Sequence, residues 1–267
     1  MKYKILFPEG KKKAFTLSYD DAHNHDIRLV EMFNKYNVKA TFHLNAGILD
    51  EKNDETTFIR KDEVKSLYQG HEVSCHGYSH PYFSQLPKPQ VFSELYKDKK
   101  TLEELVSYPV RGMSYPYGEY TQDVLDAAKV LGLEYSRTVN DTMSFTIPGD
   151  FLLWNPTCHH NKVYDVLDEF LNPPAYRELL LFYVWGHSFE FDRENTWDYM
   201  EEFLQKVSGL DDVWYATNIQ IKDYVDAYRS LKVTIDEDII YNPSAQTIWL
   251  MYNDEIITIA PRETIYL

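Results

Sequence analysis

This 267-residue sequence predicts an α/β fold, a barrel-like sheet of about seven strands with a small C-terminal β appendage. Three observations predict it. From Ala14 to about Arg229, short apolar runs alternate with amphipathic segments, the pattern of successive βαβ units and parallel pairing. The predicted strand ends carry Asp20, Asp21, His76, Tyr117 and His187, at the edge where parallel α/β folds build their sites. From Leu231 onward the helix period disappears and apolar and polar residues alternate between turn signals at "NPS" and "ND".

The elements follow in order. "KAFTLSY" reads as a strand, and "DIRLVEMFNKYN" as a helix with Ile27, Val30, Met32 and Phe33 on one side. "VKATFHLN" is the next strand, "RKDEVKSLYQG" a helix closed by Gly70, and "HEVSCHG" a strand. "KPQVFSELYKDKKTLEELVS" is a long helix, and "VRGMSYPYG" a strand running into a turn. "TQDVLDAAKVLG" is a helix with Thr121 as its N-cap and a stop at Gly132. "LEYSRTV" and "LLLFYVWGH" are strands, "TWDYMEEFLQKVSG" is a helix, and "DVWYATNIQIKDYVDAYRS" holds a last strand and helix. Residues 1–230 are therefore read as one α/β domain. Residues 231–267 form a β segment of three or four strands that must pack on it, because so few strands are marginal alone.

Composition narrows the function. Hydrophobic residues make up 44% and charged residues 26%, ordinary for a globular protein. A net charge of −15 argues against nucleic acid, whose binding rests on Lys and Arg. The 22 Tyr and 5 Trp suit sugar stacking, but also plain packing. Cys75 and Cys158 make no disulfide framework, no signal-peptide pattern opens the chain, and no run nears the ~20 apolar residues of a membrane helix. A reduced cytoplasm and no membrane partner are expected; a homo-oligomer is left open.

Four stretches could carry chemistry. "TLSYDDAHNH" sets Asp20 beside Asp21, which alone reads as a turn or an N-cap. Beside a divalent cation, one carboxylate could bind metal while the other stays free and ionised. "SCHGYSHPYF" spaces His76 and His80 four apart. Two imidazoles and one carboxylate make a three-ligand metal site with open positions, though the pair alone more often marks surface histidines. "SYPYG" can turn the Tyr117 backbone N–H toward an oxyanion, and it also fits a plain strand-to-helix turn with Tyr117 as packing. "VWGHSFEFD" places His187 at a strand end, where it also fits a hydrogen-bonded core histidine.

Taken in order, these stretches resemble the polysaccharide deacetylase family (NodB homology, carbohydrate esterase family 4) over about residues 14–225. "TLSYDDA", "HGYSH", "SYPYG" and "VWGH" are similar to its successive motifs. The resemblance implies a deformed (β/α) barrel and a metal-dependent hydrolase that removes N- or O-linked acetyl groups from carbohydrate. It implies Asp20 as base, Asp21, His76 and His80 as metal ligands, Tyr117 as oxyanion donor and His187 as acid. The ion would be zinc, with cobalt, nickel or iron as substitutes. Departures are Ala22 for a glycine, Gly77 for Ser or Thr, and Ser114 for an arginine that Arg111 is expected to replace. The family's fourth motif, an Asp with a nearby Trp, has no clear match; "LLWNPTCHH" offers Trp154, His159 and His160, with Trp154 as a substrate contact. Two other functions fit: a hydrolase of small non-peptide amides on the same barrel, and a carbohydrate-binding protein with weakened catalysis.

Overall fold

In the computed structural model, which describes residues 2–52 and 57–267, the chain runs as follows. Strand β1 (Tyr3–Leu6) precedes β2 (Lys13–Asp20), helix α1 (Asp26–Lys35), β3 (Ala40–Leu44), α2 (Lys61–Leu67), β4 (Glu72–Cys75) and α3 (Lys88–Val106). Next come β5 (Gly112–Ser114), α4 (Gln122–Val130), β6 (Tyr135–Arg137), β7 (Cys158–His159), α5 (Val163–Leu171), β8 (Leu180–His187) and α6 (Ser188–Arg193). Helix α7 (Trp197–Val207), β9 (Val213–Tyr215) and α8 (Asn218–Arg229) complete the α/β part. Five short strands follow: β10 (Lys232–Val233), β11 (Ile239–Tyr241), β12 (Ile248–Tyr252), β13 (Glu255–Ile259) and β14 (Thr264–Tyr266).

The main sheet is parallel, in the order β6-β5-β4-β3-β2-β8-β7. Strand β2 is its axis. One edge carries β8 along the whole strand; the other is shared by β9 at Lys13–Phe15 and β3 at Leu17–Asp20. The segment from Trp154 to His159 bridges the two ends of the strand order. Trp154 pairs with Arg137 of β6, and Cys158–His159 pair with Val184–Trp185 of β8. The sheet therefore curls into a deformed barrel, as the family resemblance implies and in line with the barrel-like closure expected from the alternating pattern.

Period-two alternation sorts the side chains. Along β2, Phe15, Leu17 and Tyr19 join the large core beneath the helices, and Thr16, Ser18 and Asp20 take the barrel side. The N-terminal halves of the strands meet the first turn of α8. Asn218 bonds Thr16 (2.9 Å) and Tyr183 (2.6 Å), and Glu72 accepts the Ile219 backbone N–H (2.9 Å). A carboxylate suits that partly positive helix start.

Strands β1, β12 and β13 form one antiparallel sheet, and β10, β11 and β14 another. Thus an N-terminal strand pairs with the C-terminal segment, Tyr3 opposite Tyr252. Ile248, Leu250 and Ile259 share a core with Phe7, Tyr135, Trp154, Tyr183 and Tyr224. Helices α5 and α6 and strands β1 and β7 go beyond the elements read from sequence. Among the described residues, no helix is long and apolar enough to cross a membrane.

Candidate active site

The carboxyl ends of the barrel strands bring the candidate residues together. Asp20 is the last residue of β2 and lies in register with His43 of β3 and His187 of β8. After one more ladder bond, from Asp21 N–H to the His43 carbonyl (3.0 Å), the chain turns outward with φ of +81° at Asp21 and +55° at Ala22. The second angle lies in the left-handed region that favours the family's glycine.

The loop after β4 carries His76 and His80. Asp98 of α3 accepts the backbone N–H groups of Ala46 (2.8 Å) and His76 (2.9 Å), fixing where the loop leaves the sheet. Gly77 has φ of +76°, and a Cβ there would come within 3.0 Å of Pro81 and 3.3 Å of Phe83. This turn disfavours the Ser or Thr of the family motif, whose side chain would be strained at that φ and crowded by both neighbours.

Asp21, His76 and His80 converge. The Nε2 atoms of His76 and His80 lie 3.5 and 3.4 Å from Asp21 Oδ1. Two ligands each about 2.1 Å from a tetrahedral ion stand about 3.4 Å apart. Asp21 Oδ1 is buried and has no hydrogen-bond partner among the described residues. His76 Nδ1 is held by Ser114, through its carbonyl (3.0 Å) and hydroxyl (2.7 Å), which aims Nε2 inward. Burial keeps the His76 imidazole well below its ordinary pKa, neutral as a ligand must be. These three residues fit a divalent cation.

Around them stand the other groups. Burial alone would raise the Asp20 carboxyl, but the Arg137 guanidinium outweighs it and holds the group well below the usual carboxylate range. Arg137 is fully buried. It binds Asp20, donates to Ser18 Oγ (3.1 Å) and the Thr138 carbonyl (3.0 Å), and lies 4.5 Å from the Trp185 ring. Ser114 Oγ donates to the other Asp20 oxygen (3.1 Å). His187 places Nε2 3.9 Å from Asp21 Oδ2. Burial pushes its imidazole down, but Glu190 and the charges of Asp21 and Asp20 outweigh this and hold it above its ordinary value. His43 is also buried beside Asp20, and burial pushes it down to about 3.

Tyr117 has φ of +57°, and among the described residues its backbone N–H makes no hydrogen bond. Its ring stacks on Tyr82 at 3.7 Å and 1°, both half exposed at the rim. A cavity of 360 Å³ is lined by Asp20, Asp21, His76, Tyr117, Trp185 and His187. A neighbouring cleft of 340 Å³ shares Asp21 and His80 and is walled by His23, Ile48, Phe58 and Phe189.

Two expectations are corrected. Arg111 does not reach Asp20; it forms two-toothed pairs with Glu134 and Asp223 on the flank of the barrel. The arginine that does is Arg137, which lies in register beside Ser114 on the adjacent strand, so the charge has moved one strand across at the same height. Trp154 is no substrate contact. It is 1% exposed and packs between Tyr135, Phe151 and Tyr183. Trp185 lines the cavity instead. An arginine inside the buried strand "LEYSRTV" was the available signal for Arg137.

The polysaccharide deacetylase family model matches residues 8–136, which include every one of these residues up to Tyr117 but not Arg137 or His187. A peptidoglycan-N-acetylglucosamine deacetylase of Bacillus cereus is 24% identical over 190 residues, 64% of this chain and 66% of that protein, just under two thirds of its length. A solved structure of a candidate polysaccharide deacetylase from Mycobacterium smegmatis superposes with a TM-score of 0.63 at 19% identity, over 85% of this chain and 94% of that one. A carbohydrate esterase family 4 pseudoenzyme from Bacillus anthracis superposes at 0.51 and 18% identity, over 81% and 67%. The family match over just under half of the chain, the four ordered motifs and the shared barrel fold together support a divergent polysaccharide deacetylase.

Proposed function

We propose that this protein is a metal-dependent hydrolase that removes acetyl groups from a carbohydrate. The observation that carries the proposal is the convergence of Asp21, His76 and His80 on one point, with Asp20 3.8 Å from His76 Nε2 and His187 3.9 Å from Asp21 Oδ2. A cation held by the three, zinc being the simplest for two imidazoles and a carboxylate, would lower the pKa of water and polarise the acetyl carbonyl.

The protein's own groups do the rest. Asp20, kept ionised by Arg137, accepts the proton of the attacking water. The Tyr117 N–H donates to the carbonyl oxygen as negative charge gathers there. His187 gives its Nε2 proton to the departing nitrogen or oxygen, so that acetate and a free amine or alcohol leave. An amine cannot depart as an anion, so this proton decides whether the tetrahedral adduct goes forward.

The stacked Tyr82–Tyr117 pair at the rim and the second cleft beside it favour an extended sugar over a small enclosed amide. Residues 231–267 are read as a cover for the barrel's far end. The test measures acetate release by stripped and by metal-loaded protein from acetylated chito-oligosaccharides, acetylated xylan and small acetyl esters. Metal-dependent release from a sugar is expected; none from any substrate would overturn the reading. Tight oligosaccharide binding without turnover would point instead to a binding protein.

A further inference from the structure

Behind His187, three imidazoles crowd one carboxylate oxygen. Glu190 Oε2 is hydrogen-bonded to His159 Nε2 (2.9 Å) and accepts the His187 backbone N–H (3.1 Å), and it lies within ion-pair distance, without a hydrogen bond, of His187 Nδ1 (3.3 Å) and His160 Nε2 (3.6 Å). The other oxygen, Oε1, meets only Arg193 among the described residues, at 3.4 Å. Glu190 sits in the first turn of α6, which begins directly after His187, so its backbone is fixed to the strand end. Its side chain is not: Arg193, exposed and one turn away, offers a competing partner.

His159 decides that competition. Its Nδ1 accepts the Asn161 backbone N–H (3.4 Å), so the proton of the neutral ring lies on Nε2 and points at Glu190. A metal ligand would need the opposite tautomer, which makes this cluster a hydrogen-bonded network rather than a second metal site. The His159 ring stands edge-on against Trp185 at 4.8 Å, and His160 is clamped between Tyr19 and Phe191. The segment that closes the barrel therefore delivers a rigid donor to the back of Glu190.

We propose that His159 is a positioning residue for the proton-donating step: it pins the Glu190 carboxylate, and the pinned carboxylate holds the His187 ring with Nε2 toward the leaving group. This rests on the reading of His187 as the acid. His159 itself touches no substrate.

The test uses the full chain carrying His159→Phe, which keeps the ring and removes the donor, and His159→Gln, whose amide can restore one. Two substrates separate the step. The amine of an N-acetylated chito-oligosaccharide needs a proton to leave; the 4-nitrophenolate of 4-nitrophenyl acetate does not. Outer hydrogen bonds of this kind are worth about 10–100-fold. H159F should lower kcat on the amide by about that factor, leave KM and turnover of the aryl ester within about two-fold, and be largely rescued in H159Q. An equal fall on both substrates, or none on the amide, overturns the proposal. A crystal structure of H159F gives a readout without turnover: Glu190 should be turned toward Arg193 and the His187 ring displaced. Both unmoved overturns the proposal; both moved in a protein whose wild type releases no acetate overturns the assigned function instead.

Discussion

Replacing Arg137 with methionine should destabilise the fold by about 3–5 kcal/mol, the usual cost of removing one partner from a buried ion pair. The guanidinium is 0% and Asp20 2% exposed, so water cannot take over. Methionine refills much of the volume but leaves the Asp20 carboxylate with Ser114 as its remaining hydroxyl donor and His76 at 3.8 Å. In the wild type the folded Asp20 pKa lies below its unfolded value. The pair's contribution is therefore present above about pH 4 and is lost only as pH falls further toward the folded value. Without Arg137 burial dominates and the folded pKa rises above the unfolded one. The variant's deficit should then be large at pH 7 and shrink on acidification. Urea unfolding of metal-free protein at pH 7 and pH 5 measures both. Adding Asp20→Asn removes the stranded charge, so the double variant should recover at least half of the lost stability while remaining inactive. An Arg137→Met protein within 1 kcal/mol of wild type at pH 7, or a double variant no more stable than the single one, would refute the reasoning.

Other outcomes follow from the same geometry. Asp98→Leu strands the buried N–H groups of Ala46 and His76 and should cost about 2–5 kcal/mol, with zinc held 10–100-fold more weakly, read by unfolding and by metal titration. Tyr82→Ala removes one face of the rim stack and should raise KM for an oligosaccharide about 3–10-fold while leaving 4-nitrophenyl acetate turnover unchanged; equal effects on both would remove the stack from the substrate path. Truncation at Leu231 strips Ile248, Leu250 and Ile259 from a shared core and should give insoluble protein rather than altered specificity, as soluble yield shows.

The barrel was legible because each strand begins or ends on an abrupt change of period, and the candidate site because its residues end those strands or sit in the turns directly after them. Asp20, Asp21, His76, His80, Tyr117 and His187 lie within one cavity lining. What escaped the sequence depends on register. Arg137 replaces a charge expected at Ser114 only because β5 and β6 pair those two residues, 23 positions apart, side by side. Glu190 and His159 meet through a closing segment with little regular structure, where no periodicity marks the pairing. Tyr3–Leu6 carries no signal that its partner lies at the opposite end of the chain.

The most direct test is zinc titration of metal-stripped protein, following bound metal and acetate release from an acetylated chito-oligosaccharide together. The account predicts that activity rises with zinc and levels at one equivalent per chain, and that His76→Ala neither binds the ion nor releases acetate. Activity in the stripped protein, or full activity with zinc absent from His76→Ala, would contradict it.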